Sequence, residues 1–150
     1  MDATTYTRTR DEMTAAFGEP IHAVTADDLI AAGDLIDATP VYAQGTGRSP
    51  ELMPRLLFTR AAWDDLAAWD ENNRAYQDVS GRIHDVVTMC RALDRAGRVH
   101  GGVFGHRVTF SLLRIPNTRR ATVPRTARAV VTVHLDGARP VLTFALPGED

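Results

Sequence analysis

The spacing of the apolar side chains changes at Gly97, and this change constrains the fold more than any other feature of the sequence. Before it, apolar residues recur at the period of an α-helix that buries one face. The clearest stripe comprises Ile83, Val86, Val87, Cys90 and Leu93. After Gly97, apolar and polar residues alternate as in half-buried β-strands, through Val108, Phe110 and Leu112 and again through Val131, Val133 and Leu135. We predict an α+β fold in which N-terminal helices pack on one face of a C-terminal antiparallel sheet, a meander of three or more strands.

The 150 residues match one ordinary domain. We therefore predict a single α+β domain over residues 1–150, with an acidic helical part at 1–97 and a basic β part at 98–150. Capping residues and glycines predict four helices: over 11–17, over 26–32 after Thr25, over about 60–72 after Thr59, and from an N-cap at Ser80 to Gly97. Residues 39–54 hold three prolines and two glycines, and we expect a long surface loop there.

Asp136 and Gly137 form a dipeptide typical of a two-residue hairpin turn. Folding the chain there predicts three apolar pairs: Val133 with Pro140, Val131 with Leu142, and Ala129 with Phe144. Because proline cannot donate to a ladder, we expect the strand of Pro140 at an edge. The core should join the helices to this face through Trp63, Ile83, Val86, Cys90, Phe110, Val131 and Phe144.

Charge is divided by position, although the net charge is only −2. Up to Gly97 the chain has 16 Asp and Glu against 9 Arg, and from Arg98 to Gly148 it has 8 Arg against Asp136 alone. A basic surface attracts nucleic acid or an acidic protein partner. The candidate binding residues lie around a segment without acidic residues: Arg114, Arg119, Arg120, Arg125 and Arg128.

Two other arrangements account for the same division of charge. The two parts of one chain can face each other, which pairs the arginines with acidic helices, or they can face a second copy in a homodimer. If the five arginines instead bind a partner, we expect them unpaired and on one accessible face. Single-strand binders usually add exposed aromatic residues for base stacking, and residues 114–128 contain none.

The alternative function is a small enzyme of hydrolase type with a site near Gln77–Asp85, the densest polar cluster. Adjacent helical side chains such as His84 and Asp85 point about 100° apart, so they are poorly placed to act together. Ser80 is better explained as an N-cap than as a nucleophile. His100 and His106 flank a glycine-rich segment without nearby ligands for a metal. We therefore expect no catalytic residue, cofactor or metal, and a non-enzymatic binding protein.

Cys90 is the only cysteine, so it cannot form a disulfide within the chain. The polar N-terminus lacks the apolar segment of a signal peptide, and the longest apolar runs are far shorter than the ~20 residues of a membrane span. These features predict a cytoplasmic protein that has no membrane partner.

A series of motifs runs through nearly the whole chain. It comprises Phe17-Gly-Glu-Pro-Ile21, Thr25, Asp34-Leu-Ile-Asp37, Trp63, Tyr76-Gln-Asp-x-Ser-Gly-Arg-Ile-x-Asp-Val86 and Leu146-Pro147. This order resembles a family of small proteins of unknown function that is common in actinobacteria, bacteriophages and plasmids. The segment around Gly81 and Arg82 is its most specific part, and Trp is usual in the family where this chain has His84. The resemblance implies a cytosolic protein of mobile-element type, and it implies no activity and no site residues.

Overall fold

The five strands of the computed structural model, which describes residues 23–95 and 107–149, form one mixed sheet in the order β1-β2-β5-β4-β3. The strands are β1 Leu35–Asp37, β2 Arg55–Thr59, β3 Arg107–Arg114, β4 Arg125–Asp136 and β5 Arg139–Ala145. The last three form the predicted antiparallel meander, which confirms the α+β class. The whole sheet is not a simple meander, however, because β2 pairs with β5 in parallel and β1 pairs with β2. The acidic part therefore supplies two strands as well as helices.

Four helices accompany the sheet in the described residues. They are α1 Ala26–Ala32, α2 Thr39–Thr46, α3 Arg60–Ala62 and α4 Val79–Arg95, with a 3-10 turn at Pro50–Leu52. The prediction for α1 is confirmed: the Asp28 N–H donates to Thr25 Oγ1, and the Thr25 N–H donates to the Asp28 carboxylate. These hydrogen bonds lower the pKa of Asp28. The predictions for the helix at 11–17, for Gly97, for His100 and His106, and for the side chain of Leu93 lie outside the described residues.

The long surface loop predicted for residues 39–54 is wrong, because α2 and the 3-10 turn occupy much of this segment. Pro40 lies in the first turn of α2, where no N–H donor is needed, and Gly47 ends the helix with a φ of 68°. The same residue types therefore mark helix ends here. Tyr42 and Met53 are buried, and the Thr39 hydroxyl accepts a hydrogen bond of 2.8 Å from the Leu56 N–H of β2.

The helix predicted over residues 60–72 is shorter than expected. Thr59 caps it as predicted, since its hydroxyl accepts from the Ala62 N–H, but α3 widens into a π-helical turn at Trp63–Ala67 and ends there. The Asp70 carboxylate then accepts from the Asn72 N–H at 2.9 Å. Such local side-chain bonds compete with the helical pattern, and they explain why residues 68–78 form a loop.

The N-cap of α4 is Asp78, and the prediction of Ser80 is wrong. The helix begins at Val79, and Asp78 Oδ1 accepts a hydrogen bond of 2.7 Å from the Gly81 N–H. Ser80 instead lies in the first turn against α2, where a Cβ on Gly45 would come within 2.5 Å of the Ser80 hydroxyl. Glycine at position 45 thus allows the two helices to approach closely.

The β4–β5 hairpin has a register two residues away from the predicted one. Val131 pairs with Phe144 and Val133 with Leu142, because the turn residues are Gly137 and Ala138. Gly137 has a φ of 61° and no non-glycine residue of the described part has a positive φ, a pattern typical of a type II′ turn. A shift of two keeps every side chain on its predicted face.

The edge position expected for Pro140 is also wrong, since its strand β5 lies between β2 and β4. The missing N–H is tolerated because the parallel ladder with β2 begins one residue later, at Val141.

The predicted core is confirmed, with Trp63 half-buried against its six buried members. Phe144 lies at its centre: its ring is 4.9 Å from the ring of Phe58 and 6.3 Å from that of Phe110. Buried residues of α2, α3 and α4 cover the sheet face that carries these rings, whereas α1 contributes none to this core. Among the described residues, no helix has the length and apolar character required to cross a membrane.

We expect Phe144→Ala to lower the free energy of unfolding by about 3–5 kcal/mol, because it leaves a cavity between two aromatic rings. Chemical denaturation monitored by circular dichroism measures this change. Leu135→Ala is the control, since Leu135 is half exposed on β4. Equal stability of the two variants would contradict the central position of Phe144.

We expect Asp78→Ala to destabilise the protein by about 1 kcal/mol through loss of the α4 cap, and Ser80→Ala to have a smaller effect. The same denaturation measurement compares the two. A larger loss in Ser80→Ala would return the capping role to Ser80.

Candidate binding surface

The segment between β3 and β4, Ile115–Pro124, carries Arg119 and Arg120 and is called the connector below. It has no helix or strand, so its backbone polar groups need partners from elsewhere. Two side chains of the acidic part donate hydrogen bonds to connector carbonyls: Asn73, from the loop after α3, and Arg82, from α4. A third, Asp65 of the π-helical turn, forms an ion pair with Arg114, the last residue before the connector.

Asn73 holds the tip of the connector. Its Nδ2 donates to the carbonyl of Thr118 at 2.6 Å and to that of Ala121 at 2.5 Å. Its Oδ1 accepts from the Ala75 N–H at 2.7 Å, so this buried amide uses both its donor and its acceptor. The two carbonyls lie on either side of Arg119 and Arg120. The backbone around both arginines is therefore held from the same side chain.

Arg82 holds the start of the connector. Its buried guanidinium donates to the carbonyl of Ile115 at 2.8 Å, to the carbonyl of Asp65 at 3.1 Å and to Gln77 Oε1 at 2.7 Å. It also lies 5.0 Å from the centre of the Trp69 ring, a cation–π distance. Burial, followed by repulsion from Arg114, lowers the pKa of Arg82 to about 10, so it remains protonated at neutral pH.

Arg114 does not meet the condition set for a binding residue. Its guanidinium is mostly buried and forms a hydrogen-bonded ion pair with Asp65. Asn117 extends this contact by donating to the carbonyl of Asp64 at 3.3 Å. At Arg114, therefore, the basic part pairs with the acidic helices, which was the first alternative explanation for the division of charge.

The other four candidates are exposed: Arg119, Arg120, Arg125 and Arg128. Within the described residues, none of their side chains has a hydrogen bond or an ion pair. They do not all share one face of the sheet, because Arg125 follows the alternation of the buried Ala127 and Ala129, whereas Arg128 points to the opposite face. Their role as binding residues stays a prediction.

Sequence reasoning missed the aromatic residues beside the connector. The bonds of Asn73 join the loop at 68–78, which contains Trp69 and the fully exposed Tyr76, to the backbone on either side of Arg119 and Arg120. This loop lines a cleft of about 620 Å³, with Arg74 on its wall together with the acidic Glu71 and Asp78. No local signal shows this proximity, because 45 residues separate Asn73 from Thr118.

The structure does not pair His84 with Asp85, although Gln77, Arg82 and Asp85 line one small cavity. His84 stacks on Tyr42 at 6.3 Å, and its Nδ1 lies 3.4 Å from the Thr88 hydroxyl. No hydrogen bond within the described part joins it to Asp85 or to another carboxylate. Three or more His, Cys, Asp or Glu side chains in a metal-binding arrangement do not occur among the residues described.

A scan against protein-family models, a search of curated proteins and a search of solved structures find no match to this chain. The resemblance to a family of mobile elements therefore stays a prediction.

We expect Asn73→Asp to destabilise the protein markedly, because a carboxylate cannot donate to the carbonyls of Thr118 and Ala121. A buried acceptor left without a donor costs about 1–3 kcal/mol. Asn72→Asp makes the same chemical change at an exposed neighbour and should have a much smaller effect. Denaturation curves compare the two variants, and amide hydrogen exchange in the connector should accelerate in Asn73→Asp alone. Equal behaviour of both variants would show that Asn73 does not hold the connector.

Proposed function

We propose that this chain is a non-enzymatic binding protein that docks on a polyanionic partner through Arg119, Arg120, Arg125 and Arg128. The observation that carries the proposal is the tip of the connector. Arg119 and Arg120 are exposed, have no side-chain partner among the described residues, and extend from a backbone that Asn73 holds on both sides. A pre-ordered backbone reduces the conformational entropy lost on binding, and exposed guanidinium groups suit phosphates and carboxylates.

Nucleic acid is the first candidate partner. Exposed arginines follow a phosphate backbone without reading its sequence, and Tyr76, in the loop that Asn73 joins to the connector, offers an exposed ring for stacking a base. This combination favours single strands over duplexes, since paired bases are not available to such a ring. Sequence preference should be slight, because no described helix projects from the fold as a groove-reading element would.

An acidic protein is the second candidate, and the exposed apolar residues favour it. Val123 on the connector is 67% exposed, and Leu113 at the end of β3 is 69% exposed. Protein interfaces combine arginine with apolar side chains in this way. A homodimer through the two charged parts belongs to the same class, and sedimentation at two salt concentrations tests it.

The experiment titrates labelled single-stranded and double-stranded DNA and RNA, and poly-glutamate, at two salt concentrations. Arg119/Arg120→Ala is compared with Arg48/Arg91→Ala, a control that removes the same charge from exposed arginines without described partners. We expect affinity to fall steeply with salt, and the slope of log affinity against log salt to decrease by roughly 2 in the first variant, about one per lost phosphate contact.

The outcomes separate the candidates. Loss of nucleic-acid binding in Arg119/Arg120→Ala but not in the control supports nucleic acid as the partner, and the same pattern for poly-glutamate alone supports an acidic protein. No binding of either polymer at low salt, or equal binding by both variants, overturns the proposal.

A further inference from the structure

Among the described residues, no strand pairs with the outer edge of β3. In the part of the chain that the structure describes, β3 pairs with β4 alone and ends the sheet on that side. It is eight residues long and contains neither proline nor glycine, whereas β1 at the opposite edge has only three residues. Natural sheets usually shorten or interrupt such edges, because a long regular edge pairs with any available strand.

A groove follows this edge. It lies between α4 and β3, has a volume of about 530 Å³, and is lined by Asp85, Thr88, Met89, Ser111, Leu112, Leu113 and Thr126. The α4 residues lie at spacings of three and four, which places them on one side of the helix. Met89 is 37% exposed and Leu113 is largely exposed, while Leu112 is buried on the face of β3 opposite to Leu113. The groove thus has apolar walls beside backbone donors and acceptors.

The geometry points to an extended peptide segment of a partner protein, with alternating apolar and acidic residues, that adds to β3 as a sixth strand. Main-chain hydrogen bonds to the free edge would supply affinity, and the side chains would alternate between the two faces of the sheet. Those directed towards α4 would meet Met89 and Leu112, which suits apolar residues. Those directed to the other face would lie beside Leu113 and the exposed Arg128 on the next strand, which suits carboxylates.

Charge disfavours a second copy of this chain as the occupant. Pairing two β3 strands antiparallel over their full length would place Arg107 opposite Arg114 of the other copy, at both ends of the ladder. Like charges directly opposite each other destabilise a sheet. An acidic segment instead meets Arg107 at one end of the strand, Arg128 beside its middle and Arg125 beside its other end.

The test uses the full chain and fluorescent peptides of eight residues in which Val and Glu alternate. We expect saturable binding, measured by fluorescence anisotropy, and slower amide hydrogen exchange in β3. A peptide of the same composition without alternation, and one with Lys in place of Glu, should bind at least tenfold more weakly. Two further peptides carry N-methyl groups on either the odd-numbered or the even-numbered residues. One of them should lose binding and the other should retain it, because only every second N–H of the added strand faces β3.

Variants locate the site and separate this proposal from the proposed function. Leu113→Asp should weaken peptide binding at least tenfold, whereas Leu52→Asp, at a residue exposed on the 3-10 turn, should leave it unchanged. Arg119/Arg120→Ala should change the peptide affinity by no more than about twofold, so failure of either proposal leaves the other intact. The inference is overturned if Leu113→Asp binds the peptide as tightly as the unchanged protein does, or if neither N-methylated peptide loses binding. A concentration-dependent dimer that Leu113→Asp abolishes would also overturn it and assign the groove to a second copy.

Discussion

Hydrogen bonds from two buried side chains, Asn73 and Arg82, determine how the acidic and basic parts of this protein meet. Together they donate to the carbonyls of Ile115, Thr118 and Ala121 across 33 to 48 residues of sequence. A carbonyl of an irregular segment that leaves water needs such a donor, and its absence costs about 1–3 kcal/mol. The guanidinium of Arg82 is well placed for this role because its planar fork reaches several acceptors at once. The position of the connector, and with it the orientation of Arg119 and Arg120, follows from these bonds.

The division of charge along the chain is only slightly neutralised by folding. Within the residues described, one ion pair joins the acidic part to the basic part, between Asp65 and Arg114. Arg55 uses Asp27 and Asp37, which belong to its own part. Arg139 donates to the backbone carbonyls of Pro50 and Met53, so it ties the parts together without using a carboxylate. The side chains of Arg119 and Arg120 therefore have no carboxylate partner among the described residues.

The sheet joins the two parts in a second way. The parallel ladder between β2 and β5 makes strands from distant segments adjacent and moves β5 into the interior of the sheet. This leaves a short edge at β1 and a long one at β3. The connector and the groove beside β3 thus lie next to each other, because β3 leads directly into the connector. Two proposed binding features that use different chemistry, charge in one case and main-chain pairing in the other, share this end of the molecule.

The sequence by itself determined the features that depend on close neighbours. Four such features were predicted with the correct type of structure. They are the capping box of Thr25 and Asp28, the apolar stripe of α4, the alternation in β3 and β4, and the hairpin at Gly137. Where local signals were ambiguous, the prediction erred: Pro40 and Gly47 mark helix ends as readily as loops, and either Asp78 or Ser80 can cap α4. Tertiary structure alone decided the rest. Two strands of the acidic part, the pairing of Arg114, and the contact of Asn73 with the connector depend on residues far apart in sequence, whose proximity no local pattern encodes. The proposed binding surface is of this second kind, because packing decides which arginines remain exposed.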